Sequence, residues 1–239
     1  MPQHYNPALR YDVGHLLANP ARKIDGANKG KLMVERGRDG KTLMRDPKKI
    51  VSIGLHQTAA DYTVVKYQIQ AAGGDAKLAL ARRCVSVPAH AFALTEGYFV
   101  TGLPLLAHAW CGHGLNGRAL QVEIDGKYCG RTADREGSTW GGKPMVVTPK
   151  LIETARNAVG FLYEEGRKLG CPLEFYEAHR QYTNKPSDPG EELWVSVGID
   201  YCEKVLGLKP RLDYCEKDRN GLQGKPIPRD WDPRSTHKY

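Results

Sequence analysis

The sequence has no run approaching the ~20 consecutive apolar residues that a membrane-crossing helix needs, which excludes an integral helical membrane protein. Its opening stretch, Met1 to Arg10, lacks the basic start and apolar core of a secretory signal, so a soluble, cytosolic product is expected. Cysteine occurs six times but never as a C-x-x-C pair, which argues against a zinc ribbon or a thioredoxin motif. Without an export signal a disulfide scaffold is not expected either, and the cysteines read as reduced and mostly buried. There is no internal repeat and no low-complexity tract. Although the net charge is +8, the basic residues form only short clusters, Arg22-Lys23, Lys29 with Lys31, and Lys48-Lys49. No zinc finger, helix-turn-helix or basic–aromatic stripe accompanies them, so nucleic acid is not an expected partner. A basic surface still draws polyanions, acidic cell-wall polymers among them.

What is present is a chain of 239 residues, 41% hydrophobic, enough for a substantial core. Residues 1–49 are polar and read as an irregular N-terminal extension. Val51 to Leu55 reads as a buried strand ending at His56, and the spacing of Tyr62, Val65 and Ile69 predicts a helix over Ala59 to Ala72. Strands are predicted over Cys84 to Leu94, Tyr98 to Thr101 and Leu120 to Ile124, with Glu96-Gly97 turning a hairpin. Residues 125–148 lack a period and read as an insertion. Thr148-Pro149 opens a helix that Gly170 ends, Leu173 to Glu177 is a strand, and Glu191 to Leu206 is a last helix closed by Gly207. A polar tail occupies 209–239. These elements predict one α/β domain over 50–208, a central mixed sheet flanked by helices.

Three residues at strand ends can carry chemistry: His56, His179 and, in a turn-rich loop, Asp188. Two imidazoles and a carboxylate form a set that zinc accepts with one position left open. Taken singly, each is more often structural than a ligand, a rim histidine or a turn aspartate.

The segment Ala178-His179-Arg180, followed by Lys185-Pro186-Ser187-Asp188-Pro189-Gly190, resembles the C-terminal signature of the type 2 zinc N-acetylmuramoyl-L-alanine amidases. This family includes phage endolysins and muropeptide amidases and is related to peptidoglycan-recognition proteins. Ala89 to Leu94 with Glu96 to Val100 resembles its hairpin, Trp110 to Asn116 its Trp/His/Gly/Asn stretch, and Gln121 to Ile124 its glutamate-bearing strand. The likeness runs over roughly 50–206. It implies an amidase-like fold, a zinc ion on His56, His179 and Asp188, and hydrolysis of the amide between N-acetylmuramic acid and L-alanine in peptidoglycan or muropeptides. It implies Glu123 as the base and Lys185 stabilising the oxyanion; the setting expected is a phage or prophage endolysin, with a bacterial recycling or remodelling enzyme as the alternative. Some members place a tyrosine before the hairpin histidine; here that residue is Ala89, which leaves the base role to Glu123. His113 and Asn116 become candidate substrate contacts, and His90 a support behind the metal ligands. Trp110, Trp140 and Trp194 are either stacking faces for sugars or core. The competing reading is a peptidoglycan-binding module of the same fold that does not cut.

Overall fold

The computed structural model describes residues 3–14, 34–62, 64–84, 87–134, 143–218 and 220–239. Trp140 and the basic clusters between 22 and 31 lie outside the described residues.

Seven strands form one mixed sheet: β1 (Arg10–Asp12), β2 (Ser52–Gln57), β3 (Ala91–Ala93), β4 (Phe99–Thr101), β5 (Ala119–Ile124), β6 (Phe175–Ala178) and β7 (Lys209–Pro210). Their order is β1-β4-β3-β5-β2-β6-β7. The β3–β4 hairpin is antiparallel and every other pair is parallel. Helices flank the sheet, as expected for a mixed α/β domain: α1 (Lys66–Ala71), α2 (Ala76–Cys84), α3 (Pro149–Lys168) and α4 (Glu191–Leu193), which continues as a π-helical segment, Trp194–Glu203.

The two faces of the central strands have different jobs, because successive side chains point to opposite sides. Ile53, Leu55, Leu120, Val122, Ile124, Tyr176 and Ala178 belong to the main core. Helix α3 packs there through Leu151, Ala155, Ala158, Val159 and Leu162, all buried at helical spacing. The Thr148 side chain accepts from Leu151 N at 3.2 Å, Pro149 occupies the first turn, and Gly170 follows the helix at φ +89°. The opposite strand face carries Gly54, His56, Gln121, Glu123 and Glu177. Since β2 and β5 are paired with His56 opposite Glu123 and Gly54 opposite Gln121, the polar residues fall side by side.

Two expected elements differ. The helix expected over Ala59 to Ala72 is confined to Lys66–Ala71, because the preceding backbone is committed elsewhere: Ala60 bridges to Gly126, and Tyr62 N donates to Asp125 Oδ1 at 3.2 Å. The strand expected over Cys84 to Leu94 shrinks to Ala91–Ala93. The residues before it, Ala76–Cys84, are strong helix formers and build α2, whose Leu78 N is capped by Asp75. The end regions also join the main body. β1 pairs with β4, while Ile227 and Trp231 enter the main core. All six cysteines are free, and Cys84, Cys129, Cys171 and Cys202 are buried.

Candidate metal centre

The parallel strands β2, β5 and β6 end on the same side of the sheet, where side chains on strand ends and following loops converge. His56 is the fifth residue of β2, one residue further into the strand than its sequence pattern predicts, and it is fully buried. Glu123 stands opposite it on β5. His179 begins a short helical turn directly after β6, and Asp188 follows in the loop before α4.

One ligand atom from each of His56, His179 and Asp188 lies within 4.8 Å of the others, and all three residues are buried. The two imidazole rings are 4.3 Å apart between centroids. Asp188 Oδ2 contacts His179 Nδ1 at 2.8 Å, and its Oδ1 accepts the backbone N–H of Gln57 at 2.9 Å. Neither ring nitrogen of His56 has a hydrogen-bond partner, nor does His179 Nε2 or Glu123 Oε2. A buried polar atom left unmatched costs about 1–3 kcal/mol, so several in one place mark a spot shaped for something else to fill. A divalent cation would engage one nitrogen of each imidazole, and the donor set of two imidazoles and a carboxylate fits zinc.

The protonation states agree. Burial first, then the neighbouring His179, holds His56 well below the usual imidazole range, so the ring is neutral, as a ligand must be. Burial alone would raise Asp188, but its contact with His179 outweighs that and keeps the carboxyl below the ordinary range. Glu123 is pushed up to about 8 by burial and by Asp188, while the charge on Lys185 opposes the shift. Lys185 is thus near enough for its charge to act on Glu123, His56 and Asp188 alike.

A second ligand set overlaps the first. His56, Cys111 and Glu123 also place one donor atom each within 4.8 Å of one another. Cys111 Sγ lies 3.5 Å from Glu123 Oε1, and burial and Glu123 push its thiol up, so it rests as a neutral S–H donor. Cys111 stands out only in the structure; in sequence its one signal is its place inside the Trp110 to Asn116 stretch.

The turn after Cys111 closes over the site. A Cβ at Gly112 would stand 2.8 Å from His56 Cε1 and 2.8 Å from Gln121 Oε1, so only glycine fits. Asn116 is buried; its Oδ1 accepts from Gly112 N at 2.7 Å and from Gln121 Nε2 at 3.3 Å, which makes it a brace for this turn. His113 is half-buried, has φ +41°, and brings its ring within 6.4 Å of His179. His90 is engaged by other groups: Nδ1 accepts from Gln121 N at 3.1 Å, and Nε2 faces Ala107 O and the buried Arg45. Burial and Arg45 push it down to about 3. It reaches the metal ligands only through the backbone of β5. Trp194 is core, whereas Trp110 is 48% exposed beside Cys111.

Supporting residues that the sequence pattern did not single out hold the ligand loop. Gln57 Nε2 donates to Ser187 O and, at 3.2 Å, to Tyr128 O, and its Oε1 accepts from Tyr128 N at 2.6 Å. Arg180 is buried between the rings of Trp231 and Tyr239 and donates to Pro186 O at 2.6 Å. Trp231 Nε1 donates to Gly130 O.

No family model matches this chain, and no curated protein matches it. Two solved structures do, both from Clostridium intestinale URNW. The endolysine N-acetylmuramoyl-L-alanine amidase LysCS is 15% identical, with 70% of this chain and 90% of that one covered and a TM-score of 0.41. The N-acetylmuramoyl-L-alanine amidase LysC is 17% identical over 70% of this chain and 92% of its own, also with a TM-score of 0.41.

Proposed function

We propose that this protein is a zinc-dependent amidohydrolase that cleaves the amide bond between N-acetylmuramic acid and L-alanine in peptidoglycan or muropeptides, in the manner of a phage or prophage endolysin. The observation that carries the reading is the convergence of His56 with His179 and Asp188, which lie more than 120 positions further along the chain, to within 4.8 Å of one another between ligand atoms. The amide and peptidoglycan specificity comes from the motifs around His179 and Asp188.

A zinc ion on these three residues would supply Lewis acidity toward a carbonyl and an acidified water. The protein's own groups do the rest. His56 presents a neutral nitrogen, His179 offers the second imidazole, and Asp188 presents a charge fixed by Gln57 N. Glu123 takes a proton from the attacking water at its carboxylate and returns it to the leaving amine; its raised proton affinity suits a group that must do both. Lys185 adds positive charge where the carbonyl oxygen becomes an anion. Half-buried His113, its ring 6.4 Å from that of His179, contacts substrate, whereas buried Asn116 acts on substrate only by shaping the turn beneath. No helix among the described residues is long and apolar enough to cross a membrane. The +8 charge favours approach to an anionic wall.

The test is metal content together with digestion of purified peptidoglycan. About one zinc per chain and release of new amino termini without new reducing sugar ends is the expected result. Wall binding without release would make the protein a recognition module, and a metal-free, inert protein would reject the reading.

A further inference from the structure

His56 belongs to two ligand sets at once, and each draws one ring nitrogen from it. Its Nδ1 lies 3.9 Å from Glu123 Oε1. Nδ1 is thus the nitrogen nearest Glu123, and a ring nitrogen binds one cation at a time.

We propose that Cys111, Glu123 and His56 form a second seat for a thiophilic divalent cation, mutually exclusive with the His56–His179–Asp188 seat. The two seats differ in chemical character. Two imidazoles and a carboxylate suit borderline ions such as Zn2+, while exchanging one imidazole for a thiolate shifts preference to softer ions such as Cd2+. The second seat has what a site needs. Glu123 Oε2 is buried without a partner, and Sγ and Oε1 are 3.5 Å apart. The backbone beside the thiol is fixed, because Gly112 N is held by Asn116 Oδ1 at 2.7 Å. Occupation is a simple exchange: the Cys111 S–H proton leaves to solvent as the sulfur–metal bond forms, with no redox change. An ion in this seat takes His56 from the first seat and the carboxylate of Glu123 from any other task, so a soft metal would act as a competitor of zinc and not as a second cofactor.

The inference rests on the first seat binding metal but not on which bond the protein cuts. The test titrates the metal-free full-length protein with Cd2+, following thiolate-to-cadmium charge-transfer absorption and counting bound ions by native mass spectrometry. The band should appear in the wild type and in Cys215→Ser, and be lost in Cys111→Ser and Cys111→Ala. It should persist in Asp188→Asn, a variant that loses at least tenfold in zinc affinity. That zinc measurement tests the first seat separately. With both metals supplied, each chain should hold one ion. A band that survives in both Cys111 variants, a wild type without a band, or chains carrying one zinc and one cadmium together would each overturn the proposal.

Discussion

The backbone N–H of Gln57 donates to Asp188 Oδ1 at 2.9 Å, so the residue next to one candidate metal ligand orients another ligand 131 positions away. The side chain of the same residue ties Ser187 O to both backbone groups of Tyr128. The candidate ligand Asp188 and the loop that carries it are thereby held by a single strand residue at the end of β2.

Gln57→Ala keeps the backbone bond to Asp188 and removes the three side-chain bonds. Zinc affinity is expected to fall about 10–100-fold, the usual effect of losing support behind a ligand. Stability should fall by about 1–3 kcal/mol, because buried carbonyls at 128 and 187 lose their donor. Zinc titration calorimetry and denaturant unfolding check the two effects separately.

Glu123→Gln preserves shape and removes the titrating group. Zinc content should be unchanged and the rate of amide hydrolysis should drop by about 10²–10⁴-fold. Near-normal turnover with zinc bound would take the base role away from Glu123.

Gly112→Ala inserts a methyl 2.8 Å from His56 Cε1. The ring must shift or the turn must lift, at a cost of about 1–3 kcal/mol. Zinc affinity should weaken at least tenfold while the far-ultraviolet circular dichroism is retained. An unchanged affinity would show that the 111–116 turn does not brace the ligands.

Asp125 gives the pH prediction. Burial pushes its carboxyl up to about 6, against hydrogen bonds from Thr95 and Tyr62 N that pull the other way. The folded state therefore binds the proton more tightly than the unfolded chain, and between about pH 4 and 6 it carries more protons. Stability contributed by this group falls as pH rises through that window and is level above it. Asp125→Asn removes the dependence. Relative to the wild type, the variant should gain on going from about pH 4 to 7, by up to about 2 kcal/mol. Thermal unfolding at both pH values measures this, and a constant difference between the proteins would refute it.

The site was more legible in the sequence than the path of the chain around it. His56, Glu123 and His179 sit on or just after β2, β5 and β6, and buried strands flanked by polar residues are visible as patterns. Asp188 was visible through the turn residues beside it. The segment from Ala59 to Val65 misleads because Tyr62 and Val65 have helical spacing, yet its backbone bonds go to residues 125–126, a partner that local pattern cannot reveal. Cys111 was hidden for a related reason: a thiol on a turn becomes a candidate ligand only when the turn is folded back onto β5. Asn116 shows the converse, a polar residue beside the site whose side chain is turned inward.

Trp231 is fully buried, with its ring 6.3 Å from that of Trp194, and its indole is bonded to Gly130 O. The loop after β5 and the start of the last long helix thus share a keystone supplied some thirty residues beyond that helix. During synthesis, Trp194 and Gly130 gain this partner only once the segment bearing Trp231 has left the ribosome. Chaperone dependence and clipping by proteases should therefore concentrate in the interval before that.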